Sequence, residues 1–135
     1  MIKPPLRLAL CLAVTALVVA PSALAGAGSK TLVSNVTVTA GKPAEFKFIV
    51  KPSAVKRGVI VFKITNKGAL PHDFTLCSKS GSSLANSCRG RSSGQISPGQ
   101  SKTLRVSVLS KGTYEYLCSV PGHAAGGMKG LIKVT

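Results

Sequence analysis

The sequence predicts an all-β domain, specifically an antiparallel Greek-key β-sandwich of about seven strands. Apolar and polar residues alternate with a period of two through most of the chain after residue 25, which is the spacing of a strand buried on one face. No segment in that region keeps the helical period of about 3.6 residues. Short clusters of Gly, Pro and Asn separate the alternating segments and predict turns between strands.

Three alternating segments form the first half of this domain. Turn signals follow them at residues 41–43, 51–52 and 66–68, so that each segment has a defined end. The side chains expected to face the core in these strands are Val36 and Val38, then Phe46, Phe48 and Val50, then Ile60, Phe62 and Ile64.

Four further strands are predicted in the second half. The first, over residues 72–76, is short, and a polar, basic, Gly/Ser-rich segment at residues 78–100 follows it as a long loop. Three strands then complete the sandwich, the last of them over residues 128–134. The residues expected to face inward in the other two are Leu104, Val106 and Val108, then Tyr114, Tyr116 and Cys118.

Residues 1–25 have the features of a secretory signal peptide. Lys3 and Arg7 precede an apolar stretch, and Ala23-Leu24-Ala25 offers a small-x-small cleavage site. The apolar stretch is shorter than the roughly 20 residues that span a membrane, so we expect cleavage, with an uncleaved anchor as the alternative. Residues 26–135, about 110 in number, suit one domain. The protein is therefore expected to be exported, to the periplasm, the cell surface or the medium.

The cysteines divide into an expected pair and a single thiol. Removal of the signal peptide, which contains Cys11, leaves three cysteines in an exported protein, where thiols tend to pair. Cys77 and Cys88 bracket the Gly/Ser-rich segment and are the expected disulfide, which would stabilise the fold by about 3 kcal/mol. Cys118 is then the remaining thiol, for which metal ligation is a role.

The remaining thiol belongs to a set of four side chains with the chemistry of a copper site. Cys118, His123 and Met128 follow one another at five-residue steps around a Pro-Gly turn, and His72 is the only other histidine in the chain. Two imidazoles and a thiolate in a trigonal plane, with a thioether as a weak axial ligand, bind copper in electron-transfer proteins. Zinc accepts a similar cysteine and histidine set, but the thioether argues against zinc.

On these residues the sequence resembles the cupredoxins, or type 1 blue copper proteins. The run Gly-Thr-Tyr-Glu-Tyr-Leu-Cys at residues 112–118 looks like the strand that leads into the family's ligand loop. The Cys-x4-His-x4-Met spacing is similar to that of rusticyanin-like, auracyanin-like and sulfocyanin-like members, and longer between Cys and His than in plastocyanin-like ones. The resemblance covers residues 35–135. It implies a cupredoxin sandwich with one type 1 copper ion bound by His72, Cys118, His123 and Met128.

One residue of the expected site departs from the family pattern. Many cupredoxins carry Asn directly after the first histidine ligand, where the side chain links the two ligand loops, whereas this chain has Asp73. A carboxylate can accept the same backbone hydrogen bonds near Ser119, but it adds a negative charge beside the metal.

The charge balance is strongly basic and bears on the choice of partner. Against three acidic residues, 18 Lys and Arg residues give a net charge of +15, which falls to about +13 when Lys3 and Arg7 leave with the signal peptide. Such a surface favours acidic redox proteins, anionic lipid headgroups at a membrane surface or cell-wall polyanions. Nucleic acid is not expected, because the protein is exported and has few aromatic residues for base stacking. The alternative is that the charge only keeps the domain soluble.

These features predict a one-electron carrier that cycles Cu(I) and Cu(II) between redox protein partners, and not an enzyme. A copper enzyme would need further histidines for additional copper centres, and three acidic residues provide no paired-carboxylate site. The alternative is a copper-binding or copper-sequestering protein with a cupredoxin fold and no physiological electron transfer. The chain has no Met-rich or His-rich segment, which favours the carrier. We expect it to act as a monomer.

The neighbours of His123 predict where electrons enter and leave. Val120, Pro121, Ala124 and Ala125 are small or apolar, and we expect them to form an uncharged docking patch around the edge of the imidazole. Basic residues elsewhere would then steer an acidic partner towards this patch.

Overall fold

The computed structural model describes residues 31–78, 88 and 91–135. The expected signal peptide, and most of the Gly/Ser-rich loop before residue 91, lie outside the described residues. Within the described ranges all regular structure is extended, and none is helical. Accordingly, this part of the chain contains no helix long and apolar enough to cross a membrane.

The described residues form two four-stranded sheets, with strand orders β2-β1-β4-β6 and β3-β8-β7-β5. The predicted all-β sandwich is therefore confirmed. The strands are β1 (Val33–Ala40), β2 (Phe48–Lys51), β3 (Ala54–Val55), β4 (Gly58–Asn66), β5 (Thr75–Leu76), β6 (Ser101–Val108), β7 (Gly112–Leu117) and β8 (Lys129–Val134).

Strand direction differs from the expected all-antiparallel arrangement at two places. β1 pairs antiparallel with β2 but parallel with β4, and β8 pairs antiparallel with β7 but parallel with β3. The chain leaves the first sheet after β2, contributes β3 to the second sheet, and returns as β4 on the other side of β1. Side-chain alternation reports which face of a strand is buried, but it carries no information about the direction of the neighbouring strand.

Each predicted strand has a counterpart, and β3 is additional. Two residues are too few to show a period, so the alternation could not have revealed β3. In the second predicted strand, Phe48 and Val50 pack against the core as expected, whereas Phe46 precedes β2 and is 37% exposed. Phe46 therefore belongs to the turn between β1 and β2 rather than to the core.

An aromatic layer lies in the core directly beneath the expected copper ligands. The Phe74 ring lies 4.9 Å from Phe62 and 5.2 Å from Tyr116, measured between centroids. Phe74 follows His72 by two residues, and Tyr116 precedes Cys118 by two, so on these extended segments each ligand continues the row of an aromatic core residue. The packed core therefore supports the positions of both ligands.

Part of the predicted long loop is bonded to the strand that carries His72. Ile96 and His72 exchange two backbone hydrogen bonds, of 3.1 and 2.7 Å. The amide of Ser93 donates to the carbonyl of residue 74, and the amide of residue 76 donates to the carbonyl of Arg91. Ile96 is 1% exposed and belongs to the core. Residues 91–96 thus hold the first ligand segment in place, a role that their polar composition did not suggest.

Candidate metal centre

The first candidate ligand, His72, lies between β4 and β5 in a segment held on both sides. Its backbone bonds to Ile96, and the preceding turn is fastened by Asn66, whose side-chain amide donates to the carbonyl oxygens of Leu70, at 2.8 Å, and Ile96, at 2.9 Å. The His72 side chain is fully buried. The two backbone bonds between His72 and Ile96 and the bond from Asn66 to Leu70 therefore restrict the position of this segment.

The other three candidates lie on the loop that joins β7 to β8. Cys118 follows the last residue of β7, and its amide donates to the carbonyl of Met128 at 3.0 Å. The amide of Met128 donates in turn to the carbonyl of His123, also at 3.0 Å. At Gly127 the backbone has a φ of 101°, a conformation that favours glycine. The loop is therefore closed by its own backbone bonds, with glycine allowing the return into β8.

These elements bring two imidazoles and one thiol to a single buried point. The Nδ1 atoms of His72 and His123 lie 3.1 Å apart, and the Sγ atom of Cys118 lies 3.5 Å from Nδ1 of His123. One ligand atom from each of the three residues falls within 4.8 Å of the others. His123 is 8% exposed, and the other two side chains are fully buried. His72 thus faces two residues that follow it by 46 and 51 positions in the sequence.

The donor set fits a type 1 copper ion. Two imidazole nitrogens and a thiol sulfur point at one another, and each is a group that binds copper when it is unprotonated. Met128 is fully buried and packs in one cluster with Cys118 and Ala40. Met128 therefore belongs to the buried surroundings of Cys118, which are lined there by apolar side chains.

Asp73 joins the two ligand-bearing segments. Its carboxylate accepts hydrogen bonds from the amide and the hydroxyl of Ser119 and from the hydroxyl of Ser92, the last at 3.3 Å. Its own amide donates to Sγ of Cys118 at 3.4 Å. The backbone bridge to Ser119 is the one expected from the sequence. The contacts with Ser92 are additional, and they surround a buried carboxylate with hydroxyl donors, which lowers the cost of its charge.

Burial sets the protonation of the donor groups. Desolvation raises the pKa of the Cys118 thiol to about 11, against an opposing contribution from the amides of Asp73 and Val120. Desolvation also lowers the pKa of His123, and the neighbouring His72 lowers it further. At neutral pH the site therefore presents a protonated thiol and a neutral His123, and a metal that binds the sulfur must displace its proton.

Two residues that the sequence pattern did not single out touch the candidate ligands from outside. Glu45 Oε1 lies 2.9 Å from Nε2 of His72, and the Phe46 ring lies 4.8 Å from the ring of His123, centroid to centroid. Hydrogen bonds from the amides of Ala69 and Leu70 lower the pKa of Glu45, so its carboxylate is ionised at neutral pH. A rare acidic residue in so basic a chain was the available signal for Glu45, whereas Phe46 looked like a core residue.

The expected docking patch requires one correction. Pro121 and Ala125 are exposed and Val120 is partly exposed, but Ala124 is only 7% exposed. Ala124 packs with Leu117 and the disulfide-bonded Cys77 and Cys88. It cannot contribute to an exterior patch, because the turn exposes Ala125 but directs the methyl group of Ala124 inward.

Comparison with known proteins identifies the family. Residues 34–135 match the family of copper binding proteins described as plastocyanin/azurin. No curated protein matches the whole sequence closely enough to be counted as a relative.

Solved structures with the same fold include two kinds of copper protein. Auracyanin A, a "blue" copper protein of the green thermophilic photosynthetic bacterium Chloroflexus aurantiacus, has 19% identity and a TM-score of 0.58, covering 76% of this chain and 99% of its own. Auracyanin from Roseiflexus castenholzii has 18% identity and a TM-score of 0.56, covering 76% and 96%. Rusticyanin from Thiobacillus ferrooxidans has 22% identity and a TM-score of 0.58, covering 76% and 77%.

At these identities the structural likeness establishes the fold, while the family match and the donor set bear on the chemistry. The match extends over the whole described sandwich, from β1 to the end of the chain. Within the matched residues lies the buried cluster of two histidines and one cysteine. The chain therefore belongs to the plastocyanin/azurin family of copper-binding proteins, the cupredoxins, and its cofactor is a single type 1 copper ion.

Proposed function

We propose that this protein is an exported one-electron carrier, and that His72, Cys118, His123 and Met128 would hold its copper ion. The observation that carries the proposal is the convergence of two Nδ1 atoms and one Sγ within 4.8 Å at a buried point. When bound, copper supplies a one-electron couple between Cu(I) and Cu(II). The protein supplies the positions of the ligands.

Rigid ligand positions suit electron transfer, because movement of the ligands between the two oxidation states slows the exchange. Cys118 and Met128 are linked through the backbone of one closed loop, and His72 is bonded to Ile96 on the opposite segment. Asp73 connects the segments through its bond to the Ser119 amide. These bonds hold all four donor side chains without any contribution from the metal.

Cys118 becomes a ligand by losing its proton. Burial raises the pKa of the thiol to about 11, so that the thiolate forms only when copper replaces the proton. The amide of Asp73, 3.4 Å from the sulfur, then faces a negative charge that it stabilises. Copper binding at neutral pH should therefore release one proton from this residue.

The surface around His123 supports electron exchange through this end of the molecule. Pro121 and Ala125 are exposed and uncharged, and Phe46 covers part of the His123 ring while remaining 37% exposed. Together with Val120 these residues form what we call the docking patch. The patch allows close approach of a partner to the second histidine without desolvating a charged side chain.

The charge of the protein favours an acidic redox partner. The chain has 18 basic and three acidic residues, and Asp73 is buried, so nearly all charged side chains that can reach the surface are basic. Long-range attraction would bring an acidic protein to the molecule, and the uncharged docking patch would form the contact. Export rests on the signal-peptide features of residues 1–25.

The test is spectroscopic. Addition of Cu(II) to the purified protein should give an intense visible absorption from thiolate-to-copper charge transfer, and Cys118→Ser should abolish it while leaving the fold intact by circular dichroism. Electron self-exchange of the copper-loaded protein is the second measurement. A colourless wild-type complex would refute the site, and a blue protein with negligible self-exchange would favour copper sequestration.

A further inference from the structure

Three consecutive residues between β1 and β2 each touch a different part of the candidate copper site. Glu45 contacts the outer nitrogen of His72 at 2.9 Å, and the Phe46 ring packs against His123 with centroids 4.8 Å apart. The ammonium group of Lys47 lies 3.5 Å from the carbonyl of Gly127. We call these residues the 45–47 strap. It lies across the outside of both ligand segments, so its side chains can act on copper only through the ligands.

Glu45 is the most firmly held residue of the strap. The amide of Ala69 lies 3.0 Å from both carboxylate oxygens, and the amide of Leu70 lies 2.9 Å from Oε1. A Cβ atom on Gly68 would lie 2.4 Å from the same oxygen and 2.8 Å from Nε2 of His72, so only glycine lets the turn approach this closely. Glu45 and His72 are therefore enclosed by one turn.

This geometry determines which nitrogen of His72 carries a proton. An ionised carboxylate that receives two amide N–H groups is only an acceptor, so the Nε2 atom facing it must be the protonated nitrogen. In the neutral imidazole the other nitrogen, Nδ1, then has its lone pair free. Nδ1 is the atom that points towards His123 and Cys118.

We propose that Glu45 is a positioning residue for the copper site, which orients His72 and strengthens it as a ligand by accepting the Nε2 proton in a hydrogen bond. The inference rests on the proposed function of His72 as a ligand. A carboxylate partner makes an imidazole a stronger donor, and a stronger donor stabilises Cu(II) more than Cu(I). Glu45 therefore lowers the reduction potential of the protein.

The negative charge of Glu45 acts in the same direction. The carboxylate is separated from the ligating nitrogen by one imidazole ring, and an anion near the metal favours its more highly charged state. Both effects disappear together when the carboxylate is replaced by an amide. A carboxylate that only fastened the turn would affect folding and leave the potential unchanged.

The experiment compares Glu45→Gln with wild type and with Glu115→Gln. Glu115 is the matched control, because its replacement removes the same charge from a partly buried β7 residue, whose Oε2 atom has no hydrogen-bond partner among the described residues and so bonds to neither histidine. The measurements are the reduction potential, the affinities for Cu(II) and Cu(I) by chelator competition, and the visible spectrum of each copper-loaded protein. Glu45→Ala, with thermal unfolding of the copper-free form, measures the contribution of the turn to folding.

We expect Glu45→Gln to remain coloured but to lose affinity for Cu(II) by about 10- to 100-fold, with a smaller loss for Cu(I). Each tenfold change in the ratio of the two affinities corresponds to a rise of about 59 mV in the potential. Glu115→Gln should leave both affinities within a factor of about two.

Failure of this inference can be told apart from failure of the proposed function. If the wild-type protein binds copper with the expected colour but Glu45→Gln has an unchanged potential, Glu45 is structural and the copper site stands. An equal rise in the reduction potential of Glu115→Gln would also overturn the inference, because the effect would then be one of net charge. A wild-type protein that gives no copper-thiolate colour would overturn both.

Discussion

Cys118 shows how the environment of one residue prepares it for a metal. The side chain is completely buried, and burial favours the neutral thiol over the thiolate, so its pKa rises from 9.0 to about 11. The same burial excludes water and oxidants from the sulfur. A reactive group is thereby kept protonated until a soft cation enters the site.

The raised pKa of Cys118 predicts a pH dependence of stability in the copper-free protein. The folded state holds the thiol proton more tightly than the unfolded chain, so this contribution is complete below about pH 9 and is lost as the pH rises towards 11. A shift of this size corresponds to about 2–3 kcal/mol. The free energy of unfolding, measured by urea titration from pH 8 to pH 11, should therefore fall more steeply for wild type than for Cys118→Ser.

The serine variant is the appropriate control, because its hydroxyl does not titrate in this range and every other group is shared. Tyr116, whose pKa is also raised by burial, contributes equally to both proteins and cancels in the difference. If the free energy of unfolding falls equally with pH in the two proteins, Cys118 is not desolvated in the folded state.

The candidate ligands could be selected from the sequence because their residue types are scarce. With two histidines in the chain and one cysteine left after pairing, the candidates were few, and spacing related three of them to one turn. Glu45 is also of a scarce type, as one of three acidic residues, but scarcity does not identify the residue that it contacts. It lies 27 residues from His72, and nothing in the local pattern of the β1–β2 turn indicates which loop it meets.

At the level of elements, the loop from β7 to β8 is supported from outside by the disulfide. Cys77 and Cys88 form a bond that closes a loop of 11 residues, and they pack in one cluster with Leu117 and Ala124. Leu117 and Ala124 directly adjoin the candidate ligands Cys118 and His123. The disulfide therefore supports the ligand loop by packing as well as by restricting the chain.

We predict that replacing both disulfide cysteines with alanine lowers the free energy of unfolding by about 3 kcal/mol, the value expected from the entropy of closing a loop of this length. Because Leu117 and Ala124 lose a packing partner, copper should also dissociate faster from the variant. The measurements are denaturant unfolding and the rate of copper transfer to a chelator. Peptide mapping without reduction tests the pairing itself, and a peptide linking Cys77 to Cys118 would contradict both the pairing and the copper site.

The strands could be predicted where the alternation of apolar and polar residues is long. They could not be predicted where a segment becomes ordered by pairing with a residue distant in sequence. β4 shows the success, since Ile60, Phe62 and Ile64 are all buried as expected. Ile96 shows the limit, because a single apolar residue in a polar segment has no periodicity, and its burial results from pairing with His72. Strand direction likewise depends on which sheet the chain enters after β2, which is a property of the whole topology.

For the molecule as a whole, the proposed docking patch is uncharged although the chain is strongly basic. None of the residues of the docking patch, Phe46, Val120, Pro121 and Ala125, is charged, whereas the full chain carries a formal charge of +15. We propose that the charge acts at long range, on the rate of encounter, and that the docking patch acts at contact. A negative charge introduced into the docking patch should therefore impair contact between the two proteins much more than their rate of encounter.

We predict that Ala125→Glu slows electron self-exchange by about tenfold or more while leaving the copper spectrum unchanged. Ala125 is exposed within the ligand loop, so the substitution fits without filling the buried site, but two carboxylates must meet and lose water when two docking patches make contact. Tenfold corresponds to only about 1.4 kcal/mol, which is less than the usual cost of apposed like charges.

Ser110→Glu is the matched control, because Ser110 is exposed in the β6–β7 turn, at the end of β7 opposite Cys118, and the change in net charge is the same. The rates are measured by NMR line broadening of mixed oxidised and reduced protein at high ionic strength, where differences in net charge are screened. Slowing of Ala125→Glu alone would support transfer through the docking patch. Equal rates for all three proteins would mean that electrons use another surface, or that copper handling without electron transfer is the better description of this cupredoxin.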